Sequence, residues 1–137
     1  MTDALIRHRS HDFDTKGTRL MTTLFILNDP PYGTERVYNG LRLAANLQRI
    51  DEGHDVVVFL MGDAASSAKT GQVTPNGYYN VNKMLGNVVR RNGRVLVCGT
   101  CMDARGLTQE ELIPGALRST LDELTQITLT ADKVLVF

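Results

Sequence analysis

Two cysteines, Cys98 and Cys101, are the chain's only thiols, and they stand in the run Cys98-Gly99-Thr100-Cys101-Met102-Asp103-Ala104-Arg105-Gly106. The thiolate is the reactive form of cysteine, and its pKa falls beside a cation or the first amides of a helix. Cys98 closes an apolar stretch, a helix start is expected just after it, and Arg105 is near in sequence, so both conditions are within reach. The competing reading is that Cys98 is a small buried apolar residue finishing a strand, because cysteine is among the most buried residue types. Cys101 follows Gly-Thr and reads as part of a more exposed turn.

A Cys-x-x-Cys pair in a reducing compartment points to redox chemistry, sulfur chemistry or metal. A zinc site could be drawn from Cys98, Cys101, His8 and His11, but there is no second cysteine pair and both histidines fall in an N-terminal stretch outside the expected core. A thioredoxin-like motif opens a long helix after the first strand of its fold; here the pair follows a late strand and is trailed by Gly106 and a Thr108/Glu111 capping box. No metal or other cofactor is expected.

The elements that must position these thiols are legible in the apolar pattern. Leu24 to Leu27, Val56 to Met61, Arg94 to Cys98 and Lys133 to Phe137 are short continuous apolar runs of the kind that form buried strands. Between them, a helix is expected from about Thr34, with Thr34 as its cap and Gly53 as its left-handed stop. A second, capped by Asn80 and stopped by Gly93, buries Val81, Met84, Leu85, Val88 and Val89. Ala64 to Ala68 suggests a short helix, and Leu117, Leu121, Leu124 and Ile127 predict a helix continuing past Pro114 and Gly115. Alternating strands and helices predict an α/β protein: a three-layer α/β/α sandwich around a mostly parallel sheet of about five strands.

The 137 residues, 42% hydrophobic and 22% charged, suit one compact domain. Residues 1–20, crowded with Arg7, His8, Arg9, His11, Asp12 and Asp14, read as an extension, native or vector-derived, and the domain proper spans 21–137 with Met21 as a candidate internal start. Fifteen basic and fifteen acidic residues give a formal charge of zero, which removes the electrostatic argument for nucleic acid or an anionic membrane. Neither a membrane-spanning run nor a secretory signal is seen, so a cytoplasmic location is expected, with small molecules or other proteins as partners.

Ligands of open parallel sheets gather beyond the strands' carboxyl ends. Asn28 to Thr34, Gly62-Asp63 and Cys98 to Arg105 should therefore converge there, making Asn28, Asp29, Tyr32, Thr34, Asp63, Gly99 and Thr100 candidate cleft residues. Tyr78 and Tyr79 join them as a wall or a subunit contact. His54 precedes its strand and should lie at the opposite edge, about 20 Å away, too far to act as a base on Cys98.

The cysteine motif with its Arg105-Gly106 ending resembles that of the DsrE/DsrF-like family, over about Met21 to Phe137. Thr74-Pro75-Asn76-Gly77-Tyr78-Tyr79-Asn80 narrows the resemblance to the family's YchN-like branch. The resemblance implies a homo-oligomer, trimer or hexamer, with the late-strand cysteine in a cleft near a subunit interface. It also implies that Cys98 occupies the position that carries a persulfide in the sulfur-relay members, which exchange sulfur with donor and acceptor proteins. Cys101 is an addition relative to those members. On this reading Arg105 favours the Cys98 anion, amides of Gly99 to Cys101 hydrogen-bond it, and Asp103 caps a helix or pairs with Arg105 rather than acting as a base. Two other functions stay open: a non-catalytic oligomeric binding or scaffold protein, and a dithiol–disulfide oxidoreductase using Cys98 and Cys101.

Overall fold

Five strands account for the apolar runs and for one segment that resembles a helix in sequence. In this computed structural model, which describes residues 13, 15–17 and 19–137, the strands are β1 (Thr22–Leu27), β2 (Asp55–Leu60), β3 (Arg94–Cys98), β4 (Ala116–Ser119) and β5 (Lys133–Val136). The helices are α1 (Arg36–Ile50), α2 (Val81–Arg90), α3 (Gly99–Ala104) and α4 (Leu121–Thr130), with a short 3-10 helix over Gly62–Ala68. All neighbouring strands are parallel, in the order β4-β3-β2-β1-β5. The sheet is thus wholly parallel, not just mostly so.

That order dictates the layers. The steps β1 to β2 to β3 to β4 all move the same way across the sheet, so right-handed crossovers place α1, α2 and α3 on one face. The return from β4 past the whole sheet to β5 puts α4 on the other. Side chains alternate accordingly. Phe25, Leu27, Val58, Leu60, Val95 and Val97 pack under α1 and α2. Leu24, Val57, Phe59, Leu96 and Cys98 face Leu124 and Ile127 of α4. The sandwich therefore has three layers, with a single helix covering the second face.

Several local expectations change. Thr34 does not cap α1; its hydroxyl donates to Asp29 at 3.0 Å, and Glu35 at the cap position makes no side-chain cap bond. Asn80 does cap α2, accepting from the Lys83 N–H at 3.2 Å. The expected helix through Leu117 is instead strand β4 followed by α4, whose cap is Thr120, accepting from the Glu123 N–H at 3.1 Å. The Thr108/Glu111 capping box forms, but on a three-residue 3-10 turn rather than a long helix.

Neither Gly53 nor Gly93 takes the left-handed stop conformation; after α2 that role falls to Asn92, with φ of 66°. Gly93 is required for close approach instead, since a Cβ there would lie 2.6 Å from both Val88 Cγ1 and Gln48 Nε2 and 2.8 Å from the Val88 carbonyl. Gly93→Ala should cost about 1–3 kcal/mol through this overpacking, read as a lower urea midpoint at unchanged slope. Gly86→Ala, inside α2 with nothing nearer than 3.9 Å, should instead gain about 0.5–1 kcal/mol from backbone entropy.

Of the expected extension, Phe13 bridges to Arg19, and Arg19 pairs with Asp132, which also accepts from the Thr22 N–H at 2.8 Å. His8 and His11, the histidines of the zinc alternative, lie outside the described residues. Among the described residues no group of three or more metal-ligating side chains converges, and no helix is long and apolar enough to cross a membrane.

Candidate functional site

Parallel strands bring their carboxyl ends to one edge, and there the segments after β2 and β3 and the last residues of β4 meet around two sulfurs. The hydrogen-bonding run of β3 ends at Cys98, and the chain turns at once into α3, so the amides of its first turn point back at the Cys98 side chain. The Cys101 N–H donates to Cys98 Sγ at 3.3 Å, and the Thr100 hydroxyl lies 3.3 Å from the same atom. Cys101, on α3, reaches toward the β2 end and accepts from the Gly62 N–H at 3.1 Å. Cys98 is buried, with 6% exposure, whereas Cys101 is half-buried.

The two thiols shift in opposite directions. Burial pushes the Cys98 thiol up, but the hydrogen bonds of its anion with the Cys101 and Thr100 side chains and with their backbone amides outweigh that, so its pKa falls below the usual cysteine value. Burial also pushes Cys101 up, and the hydrogen bond and charge of the Cys98 thiolate push it further. The Gly62 amide and the Arg105 charge pull the other way and do not prevail. The site thus sets its two thiols apart, with Cys98 the more readily ionised of the pair.

Two ion pairs frame the sulfurs. Arg105 grips Asp63 through Nε at 3.2 Å and Nη2 at 2.7 Å, while its Nη1 donates to the Cys101 carbonyl at 3.0 Å. Asp103 does not pair with Arg105. It takes both Nη atoms of Arg118, at 2.7 and 2.9 Å, which holds its carboxyl below the ordinary range. Arg118 is the residue that sequence reasoning missed. Asp103 and, more weakly, the Cys98 thiolate hold its guanidinium in the charged form. A Cβ on Gly99 would lie 3.0 Å from Arg118 Cζ and 2.8 Å from the Ser119 carbonyl, so only glycine admits this approach. The signal that could have revealed Arg118 is the Pro114-Gly115 turn, which makes a following strand more natural than a helix.

The remaining expected cleft residues gather one and two strands away, over β1 and the start of α1. Asn28 donates its N–H to the Phe137 carbonyl at 3.0 Å, and Asp29 receives Thr34. Tyr79 stacks between Tyr32 and Tyr38, at ring separations of 5.8 and 4.2 Å, and donates to the Thr34 carbonyl at 3.3 Å. Tyr78 is exposed. Asp63, Gly99, Thr100, Asp103 and Arg105 thus surround the thiols, whereas Asn28, Asp29, Tyr32, Thr34 and Tyr79 form an aromatic and polar cluster beside them, on the side of the sheet covered by α1. His54 lies at the opposite edge as expected, its ring held between Thr23 Oγ1 at 2.7 Å and Asp51 Oδ2 at 3.2 Å.

Residues 21–137 match the model of the DsrE/DsrF-like family. The chain belongs to that family. Within the DsrE/DsrF-like proteins it is 42% identical over 114 residues to protein YchN of Escherichia coli K12, covering 83% of this chain and 97% of that protein. It is 38% identical over 112 residues to the uncharacterized protein MJ0989 of Methanocaldococcus jannaschii, covering 82% and 96%. The crystal structure of YchN from E. coli matches with a TM-score of 0.82 at 41% identity, over 86% of this chain and 100% of that one. MTH1491 from Methanobacterium thermoautotrophicum, a protein of unknown function, matches with a TM-score of 0.71 at 12% identity over 85% and 99%, which shows a shared fold. DsrE/DsrF-like membership points to a role related to sulfur relay.

Proposed function

We propose that this protein carries sulfane sulfur as a persulfide on Cys98, taking it from a donor protein and yielding it to an acceptor. The observation that carries the reading is the concentration of hydrogen bonds on one sulfur: Cys98 Sγ is met by the Cys101 N–H and the Thr100 hydroxyl, and its pKa moves down while that of Cys101 moves up. Only the thiolate attacks sulfur, so the charge marks the carrier.

In the loading step the Cys98 thiolate attacks the outer sulfur of a donor persulfide R–S–SH. A Cys98–sulfur bond forms, the donor S–S bond breaks, and R–S⁻ leaves with the electron pair. Unloading is the same exchange, with an acceptor thiolate attacking the outer sulfur and Cys98 departing as the thiolate. No net oxidation occurs. Arg105 and Arg118, each held in an ion pair with an aspartate, border the site, and the low exposure of Cys98 keeps a bound persulfide away from bulk thiols. Exposure to polysulfide followed by intact mass tests the reading: wild type should gain sulfur, and failure to gain any would overturn it.

A dithiol–disulfide cycle is favoured by one observation, the approach of the Cys101 N–H to Cys98 Sγ at 3.3 Å, which brings the first turn of α3 and its thiol against the other sulfur. Cys101→Ser separates the two, because a carrier survives that change and a redox cycle does not.

Self-association belongs to the same reading. The face covered only by α4 exposes Leu117 (57%), Leu121 (67%) and Val136 (65%), and Leu117 lies beside Leu96 in register on that face. A trimer or hexamer that buries these residues would bring another subunit close to Cys98. Light scattering after gel filtration should find such an oligomer, and Leu117→Glu with Leu121→Glu should reduce it to smaller species. A wild-type monomer at micromolar concentration would refute the assembly.

A further inference from the structure

Cys98 is well placed to keep a sulfur atom and poorly placed to hand it over. It is 6% exposed and belongs to the apolar cluster beneath α4, with Phe59, Leu96 and Leu124. An assembly that covers Leu117 and Leu121 closes that face further. Cyanide or a short polysulfide is small enough for such a recess, whereas the thiolate of a peptide or protein must bring its own backbone with it. Exchange at sulfur depends on access as well as on ionisation.

Cys101 is placed differently. It is half-buried and packs against both apolar clusters, the one under α4 and the one under α1 and α2, so it stands at the rim of the sheet where the two faces meet. The exposed Asp63–Arg105 ion pair lies beside it, with Arg105 Nη1 on the Cys101 carbonyl at 3.0 Å.

Each sulfur also has its own backbone donor. The Cys101 N–H meets Cys98 Sγ at 3.3 Å, and the Gly62 N–H meets Cys101 Sγ at 3.1 Å. Gly62 has φ of 55°, so only glycine sits there without strain. A mechanism that uses Cys98 alone leaves this second bond without a task. An N–H on sulfur favours its anion, and the pair of donors therefore suits negative charge on either sulfur in turn. Transfer of a sulfur atom between the two thiols requires that.

We propose that Cys101 is the first acceptor of the sulfur stored on Cys98 and the residue from which it leaves for bulky thiol partners. The inference rests on the carrier reading above. The Cys101 sulfur attacks the outer sulfur of the Cys98 persulfide: a Cys101–sulfur bond forms, the S–S bond to Cys98 breaks, and Cys98 leaves as the thiolate with the electron pair. The Cys101 proton passes to the outer sulfur. Cys98–S–S⁻ and Cys101–SH thus become Cys98–S⁻ and Cys101–S–SH, with no oxidant or reductant. A thiol of lower pKa is the better leaving group, which favours this direction. An acceptor thiolate then attacks at the rim and Cys101 departs. Attack on the inner sulfur would instead expel hydrosulfide and leave a Cys98–Cys101 disulfide, the product of the redox cycle.

The test starts from protein loaded with polysulfide and freed of excess reagent, then given either cyanide, which removes sulfur as thiocyanate, or reduced glutathione, which removes it as glutathione persulfide. Intact mass follows the sulfur left on the chain. Uptake at Cys98 survives in Cys101→Ser, but the ratio of the glutathione rate to the cyanide rate should fall by about tenfold or more, because the larger thiol has lost its point of access. Trapping loaded wild type with iodoacetamide and mapping the peptides should find sulfur on Cys101 as well as on Cys98. A ratio unchanged in Cys101→Ser, or no sulfur mapped to Cys101, would overturn the relay and leave the carrier standing. So would release of sulfide with formation of the Cys98–Cys101 disulfide. Wild type that gains no sulfur at all would overturn both.

Discussion

After polysulfide treatment, Cys98→Ser is expected to carry no added sulfur, a drop of roughly 100-fold or more, whereas Cys101→Ser keeps its adduct. Accessibility alone predicts the reverse order, because Cys101 is the more exposed of the two. Ionisation decides the matter, since hydrogen bonds lower the Cys98 pKa against the effect of burial, while burial, and after it the hydrogen bond and charge of Cys98, raise that of Cys101. The sign in pH follows. Modification of Cys98 by iodoacetamide should rise as pH climbs through its lowered pKa and level off below the ordinary cysteine range. Cys101 should respond only above that range. Mass mapping of the two sites from pH 5 to 10, roughly the window that brackets an ordinary thiol, reads both curves. Equal rates at pH 7, or an adduct that persists in Cys98→Ser, would remove Cys98 as the carrier.

Gly99→Ala should damage stability and loading together. The added Cβ would lie 2.8 Å from the Ser119 carbonyl and 3.0 Å from Arg118 Cζ and Nε. A flexible side chain could retreat from such a contact, but Ser119 is backbone at the end of β4, paired in register with Cys98. Either β4 or the start of α3 must move. The cost is about 1–3 kcal/mol by analogy with other overpacked sites, a sizeable part of the stability of a small domain. Because the displaced atoms include the first turn of α3, the amides that meet Cys98 Sγ shift as well. The variant's Cys98 should then show a higher pKa and slower sulfur uptake even at temperatures where it stays folded. A stable Gly99→Ala protein with an unchanged pH profile would show that this close approach is not needed at the thiol.

Strand–helix alternation was readable because β1, β2 and β3 are buried on both faces and so keep continuous apolar runs. β4 defeated the same test. It is a four-residue edge strand with Leu117 exposed, and Leu117, Leu121 and Leu124 imitate a helical spacing across the strand–helix junction. Gly53 and Gly93 both looked like helix stops, yet neither has positive φ, and Gly93 is kept by the crowding of Val88 and Gln48. A net charge of zero likewise says nothing about where charges lie: α1, α2 and the residue after α2 hold six basic residues and no carboxylate.

From its sequence alone, the chain determined a buried parallel sheet and therefore the edge at which Cys98 must emerge, because strand direction and right-handed connection leave little choice once the elements are known. Tertiary structure alone decided which charges meet there: Arg105 finds Asp63, 42 residues away, and Arg118 finds Asp103, 15 residues away. It also sets two neighbouring thiols apart, lowering the pKa of Cys98 and raising that of Cys101. Those outcomes depend on distances of about 3 Å between groups brought together by packing, and such distances are set by how the layers close, not by the spacing of residues along the chain.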